Sequence, residues 1–88
     1  MNKLNRDFAD TIRELRTERL ISQEDLSQRA SINRTYLSRM ERGLHLPSLA
    51  ALVRLAEAFG ITAADLVGRA ESRFRKPRRR RAISTATL

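Results

Sequence analysis

The stretch from Gln23 to Arg42 limits the fold most, because its apolar residues are spaced for two short helices with a three-residue break. Leu26 and Ala30 lie four apart on one helical face, and Leu37 and Met40 lie three apart on the next. Ile32, inside the break, can drop into the angle where the helices meet. The same phase leaves Arg34, Thr35, Ser38 and Arg39 together on the outer face of the second helix, with no acid before Glu41.

Three more helices are expected around this pair. The first runs from about Leu4 to Arg19, with Phe8, Ile12 and Leu15 on its buried face. Ser22 opens the second as its N-cap, with Asp25 as a weaker form of the capping box. Asn33 caps the third, and Gly43 is placed to end it in the left-handed conformation. Pro47 and Ser48 open the fourth, whose stripe is Leu49, Leu52, Ala56 and Phe59, and Gly60 closes it. Thr62 with Asp65 outlines a capping box for the fifth, which carries Leu66 and Val67. No segment alternates polar and apolar residues convincingly, so no sheet is expected.

Composition permits one small domain in 88 residues and removes several alternatives. Lys and Arg number 18 against 10 Asp and Glu, a formal net charge of +8. That excess suits a polyanionic partner, without separating DNA from RNA or an anionic membrane. Cysteine is absent, so neither disulfides nor thiolate metal sites can support the fold. The longest apolar run, Leu49 to Val53, is far short of a membrane span or a signal-peptide core, and a soluble cytoplasmic protein is expected.

Charge also divides the chain. Residues 1–68 hold 10 basic and 9 acidic residues, whereas residues 69–88 hold 8 basic and 1 acidic. After Val67 the sizeable apolar side chains are Phe74, Ile83 and Leu88, too few to build a core. The expected organisation is a folded domain over 1–68 and a basic tail over 69–88. The tail's first residues can extend the last helix, but Pro77 should end any helix before it.

A helix that turns donors outward, set across a turn from a second helix, has the form that enters a DNA major groove. The central pair therefore reads as a helix-turn-helix. The matching segments are Ile12-Arg13-Glu14-Leu15-Arg16, Ser22-Gln23-Glu24-Asp25-Leu26 and Ile32 through Gly43, completed by Pro47-Ser48-Leu49 and Leu55 through Ile61. In that order and spacing, Phe8 to Val67 resembles the phage repressor and Cro-type helix-turn-helix family, often called Xre. Arg34-Thr35-Tyr36-Leu37-Ser38 is further similar to controller proteins of restriction-modification systems, small homodimeric regulators of about this length. The resemblance implies an all-α, compact five-helix bundle of the lambda-repressor-like DNA-binding type, with a disordered or partly helical basic C-terminal tail. Two positions depart from the family pattern. Ser31 stands where glycine is usual in the turn, at a cost of about 1 kcal/mol if φ is positive, and Ser27 stands for a small alanine. Ser27 can bond back to a carbonyl one turn earlier. Together they suggest a slightly less stable motif.

The candidate DNA-binding residues of the domain are Gln23, Asn33, Arg34, Thr35, Tyr36, Ser38, Arg39 and Arg42. Arg34, in the first turn of the reading helix, can engage O6 and N7 of a guanine, worth roughly 1–3 kcal/mol of discrimination; the bland reading is a solvated arginine. Thr35 can touch a thymine methyl or a phosphate, and Ser38 and Arg39 lie next along the same face. Tyr36 falls between the buried and outer faces, so it can be a packing residue, while the resemblance puts its hydroxyl near the DNA backbone. Gln23 starts a helix, where unpaired amides favour a phosphate, and in related repressors a glutamine here also braces the reading helix. The resemblance further pairs Arg16 with Glu41 as a structural ion pair, against the alternative of two independent surface charges.

The tail, with Arg78, Arg79, Arg80 and Arg81, supplies sequence-independent attraction to phosphates, binds an acidic protein or RNA, or is a solvated terminus. His45 is the one histidine and has no cysteine or second histidine to share a metal, so no metal or other cofactor is expected. It can contact a phosphate or simply be solvated. No glycine-rich phosphate loop, paired carboxylates or nucleophile with an adjacent base is present, so an enzyme is not expected. Proteins with this motif bind as two-fold dimers on half-sites roughly 34 Å apart. The dimer surface expected here is Ile61, Val67 and Phe74, with Leu66 facing the core. The resulting expectation is a sequence-specific, nucleoid-associated transcription regulator, homodimeric on a palindromic double-stranded DNA operator. The alternatives are an antitoxin-like autoregulator that binds a protein partner through its tail, and an RNA-binding adaptor.

Overall fold

The first backbone N–H groups of a helix have no partner inside it, and four helices of this chain meet them with a side-chain oxygen. The computed structural model describes residues 3–75, with Phe74 and Arg75 as backbone only. Among the described residues there are five helices and no strand: α1 (Lys3–Glu18), α2 (Gln23–Arg29), α3 (Arg34–Glu41), α4 (Leu49–Phe59) and α5 (Ala63–Arg75). Ser22 Oγ accepts from the Asp25 N–H at 3.0 Å, and Asn33 Oδ1 accepts from the N–H groups of Thr35 and Tyr36 at 2.8 and 3.2 Å. Ser48 Oγ accepts from Ala51 at 3.1 Å and Thr62 Oγ1 from Asp65 at 3.0 Å. Gly43 and Gly60, after α3 and α4, have φ of 78° and 76°, the left-handed geometry that releases the chain from a helix.

The core is a single cluster to which every helix contributes. It joins Phe8, Ile12 and Leu15 of α1, Leu26 of α2, Leu37 and Met40 of α3, Leu55 and Phe59 of α4, and Leu66 and Ala70 of α5, with Ile32 filling the α2–α3 turn. α1 is the spine, packed along α5 on one side and α3 on the other. At its far end Arg19 donates from Nε to the Phe59 carbonyl at 3.0 Å, and its guanidinium lies 5.8 Å from the Phe59 ring centre. The end of α4 is thereby tied to the end of α1.

One expectation is corrected. Leu49 does not belong to the buried stripe of α4, being 75% exposed, and the inward face is Ala51, Leu55, Ala56 and Phe59, with Leu52 half-buried. Leu49 is the first residue of α4, ahead of the body of the bundle, and the small side chains of Ala51 and Ala56 take the close packing instead. α5 continues past residue 68 to Arg75, an extension of the last helix that the sequence allowed. Ala70 is buried, Arg73 Nη2 lies 2.8 Å from Glu14 Oε1, and Lys3 Nζ donates to the Arg73 carbonyl at 3.4 Å. Arg69 Nη1 lies 4.0 Å from Glu18 Oε1. Arg69 and Arg73 thus face acids of α1.

Ser31 has φ of 55°, the left-handed value expected where glycine is usual, and Ser27 Oγ donates to the Glu24 carbonyl at 2.8 Å. Leu20, in the α1–α2 turn, shares φ of 55° and is 91% exposed, so it carries the same backbone penalty with no burial to offset it. Leu20→Gly and Ser31→Gly should each raise stability by about 0.5–1 kcal/mol, because relief of the left-handed cost exceeds the entropy glycine adds to the unfolded chain. Thermal melting followed by circular dichroism should move up by roughly 2–8 °C for each. A lower midpoint in either variant would mean that the side chain makes a compensating interaction.

Candidate nucleic-acid interface

Asn33 sets the direction of α3 by capping it, and the helix then turns Leu37 and Met40 inward. Arg34, Thr35, Arg39 and Arg42 are exposed as a consequence, and Ser38 is half-exposed beside them. The cap occupies the Asn33 side-chain oxygen and makes no use of its amide N–H groups. Three of the four exposed residues are arginines, so the face is donor-rich and cationic.

The acid at the end of this helix is turned inward. Glu41 is buried, and its carboxylate accepts from Arg16 twice, Nε to Oε2 at 2.7 Å and Nη2 to Oε1 at 2.9 Å. Gln23 Nε2 donates to Oε1 of the same carboxylate at 3.3 Å, which links the start of α2 to the end of α3. Arg16 Nη1 also donates to the Ile21 carbonyl at 3.0 Å. Such a fork of parallel donors fixes direction as well as distance. α1 therefore grips the end of α3 from inside, and Gln23 gives one amide hydrogen to the same grip.

Tyr36 is half-buried and packs against the core, with its hydroxyl accepting from the Ser48 N–H at 3.0 Å. It therefore adds to the N-terminal cap of α4 while its own hydroxyl proton stays available. The His45 ring stands edge-on to it, with centroids 6.4 Å apart. Among the described residues no group of three His, Cys, Asp or Glu side chains is arranged to hold a metal ion. No helix among them is long and apolar enough to cross a membrane.

Two residues at this interface escaped the reading of the sequence. Arg13 donates from Nη1 to the Glu41 carbonyl and pairs with Asp10, so a second α1 arginine meets the negative end of α3. The signal was present, since Arg13 lies three residues before Arg16 on the same face. Glu24 is the other, and its carboxylate lies 4.0 Å from the Arg34 guanidinium.

Of the expected dimer residues, Ile61 and Val67 border different hollows. Val67 borders an apolar groove of about 420 Å³ with Leu4, Phe8, Leu46, Pro47, Leu52, Ala70 and Glu71. Ile61 packs against the core and borders a different hollow, with Ala64, Asp65, Gly68, Arg69 and Ser72. Helical phase on α5 separates the two, because Val67, Ala70 and Glu71 share one flank and Asp65, Gly68 and Ser72 the other. Leu66 is fully buried. The Phe74 side chain and Arg78, Arg79, Arg80 and Arg81 lie outside the described residues.

Residues 12–66, which take in the whole of this arrangement from Arg13 to the first turn of α5, match the family described as helix-turn-helix. The chain belongs to the helix-turn-helix family, of the Xre type. It is 44% identical over 60 residues to the HTH-type transcriptional regulator DdrOP3 of Deinococcus deserti, covering 68% of this chain and 46% of that protein. The chain therefore spans about half the length of that relative. Control protein C.MunI of a Mycoplasma species is 33% identical over 67 residues, covering 75% of this chain and 90% of the relative. Among solved structures, the restriction-modification controller protein C.AhdI of Aeromonas hydrophila is similar with a TM-score of 0.67 and 35% identity, over 70% of this chain and 94% of that one. Membership of this helix-turn-helix family makes α2 and α3 its defining pair.

Proposed function

We propose that this chain is a sequence-specific transcription regulator that binds double-stranded DNA as a homodimer on a palindromic operator. The observation that carries the reading is the division of α3 into an outer face of Arg34, Thr35, Ser38 and Arg39 and an inner acid, Glu41, neutralised by Arg16. A cationic donor face held rigidly from behind is what reading a major groove requires. The names of the relatives, a transcriptional regulator, a control protein and a restriction-modification controller protein, support the same reading. Arg34 would reach a guanine edge, Thr35, Ser38 and Arg39 would meet bases or phosphates, and Gln23, Asn33, Tyr36 and Arg42 would hold the backbone. Selection of bound duplexes from a random pool tests this directly. An enriched palindrome with half-sites about one helical turn apart is expected, and recovery of no preferred sequence would overturn the reading.

The dimer surface that we favour is the flank of α5 that carries Val67. Leu4, Leu46 and Val67 are exposed there around the apolar groove, and Leu49 and Val53 of α4 are exposed as well. A second copy offers the same apolar surface, so a two-fold association there buries apolar area. Val67→Asp should weaken self-association and lower operator affinity far more than random-DNA affinity. Sedimentation at micromolar concentration reads the first effect; a wild-type protein that stays monomeric both free and on its operator would end the dimer reading.

The basic tail would add sequence-independent attraction. Because α5 runs to Arg75, a chain ending at Lys76 keeps the helix and removes Arg78, Arg79, Arg80 and Arg81. Every phosphate that these arginines neutralise contributes about 0.9 to the steepness of log affinity against log salt, so the shortened chain should show a shallower dependence. The ranking of operator variants should stay unchanged. Wild-type slope and affinity would instead point to a protein or RNA partner for the tail.

A further inference from the structure

Glu24 is, among the described residues, the acid that comes within 4.0 Å of Arg34, from Oε1 to Nη1, with the two side chains 66% and 61% exposed. It sits in the first turn of α2, one residue after Gln23. Glu41 is buried on Arg16 and presents no free charge to a ligand. An exposed carboxylate on a face that approaches a polyanion lowers affinity for every sequence, and an exposed pair at this distance adds little stability. What it can supply is a difference between sequences.

We propose that Glu24 is a specificity-determining residue that acts through Arg34, an inference that rests on the DNA-reading function proposed above. The guanidinium has five N–H donors in a fixed fork. Against guanine, two of them meet O6 and N7, which leaves a third free to turn towards Glu24, so base and carboxylate can share one planar group. Against a backbone phosphate, a second anion must approach the same guanidinium beside a carboxylate of like charge. Glu24 therefore penalises the unspecific use of Arg34 more than the specific one. A plainer role exists for a first-turn acid, which is to offset the positive end of α2. That role would change helix stability and leave sequence preference alone.

Glu24→Gln keeps the size and the helix position while removing the charge. Affinities for the selected operator and for random duplex DNA should be compared in the wild type, Glu24→Gln, Arg34→Ala and the double variant, with helicity and melting recorded for each. In the wild-type background Glu24→Gln should bind random DNA several-fold tighter and lower the ratio of operator to random affinity by roughly tenfold. In the Arg34→Ala background the same change should raise both affinities by one factor and leave their ratio unaltered, the non-additivity expected of residues acting as a pair. An unchanged ratio in the wild-type background overturns the proposal, as does an equal fall in both backgrounds. Altered melting with unchanged ratios would assign Glu24 to the end of α2 alone. A wild-type protein that selects no sequence overturns the proposed function, and this inference with it.

Discussion

Arg34→Ala should reduce operator affinity by about 30-fold at least and by as much as roughly 10⁴-fold, from about 1–3 kcal/mol at each of two half-sites. The loss should concentrate at one base pair per half-site, where the preference for guanine relaxes, and random-DNA affinity should fall much less. Stability should not change, because the side chain is exposed and its near neighbour, Glu24, is exposed too. Competition binding against operator variants substituted at each position reads both quantities. An equal loss on operator and random DNA would make Arg34 a phosphate ligand and shift the reading role to Thr35, Ser38 or Arg39.

Arg16→Met should destabilise the domain by about 3–5 kcal/mol, a large share of the roughly 5–15 kcal/mol that such domains possess. The reason is asymmetric burial: the Glu41 side chain is 4% exposed and that of Arg16 22%. Removing the arginine leaves a carboxylate in the interior with the neutral amide of Gln23, at 3.3 Å, as a poor substitute. Glu41→Leu should cost less, because Arg16 keeps the Ile21 carbonyl and can turn towards water. The double variant Arg16→Met with Glu41→Leu should recover much of the loss, since an apolar pair of similar volume replaces a charge pair that had to be desolvated. Urea unfolding midpoints at constant slope give these differences. A cost below about 0.5 kcal/mol for Arg16→Met would reduce the pair to two surface charges.

The helix starts were legible because the information is local. Ser22, Asn33, Ser48 and Thr62 each place an oxygen two or three residues before the N–H they meet. That geometry needs nothing from the rest of the chain. Gly43 and Gly60 were legible on the same ground, through their own φ. The inward phase of α1 and α3 was readable from period alone, because Phe8, Ile12, Leu15, Leu37 and Met40 are large and evenly spaced. On α4 the period was ambiguous: Leu49, Ala51, Leu52 and Leu55 allow two neighbouring stripes, and the approach of other helices chose between them.

Local side-chain chemistry therefore determined the number of helices, their caps and the outward face of α3. Tertiary structure alone decided what holds that face in place and what remains uncovered. Arg13 and Arg16 meet Glu41 across more than twenty residues of chain, and Glu24 meets Arg34 only because the turn at Ser31 folds α2 against α3. Arg73 meets Glu14 in the same way, extending the folded part beyond the point where the charge pattern changes. Ile61, ahead of α5, and Val67, within it, border different hollows, a separation that the sequence alone did not show. A cap depends on the nearest few residues, whereas burial, ion pairing and a shared surface depend on which distant helix arrives beside them.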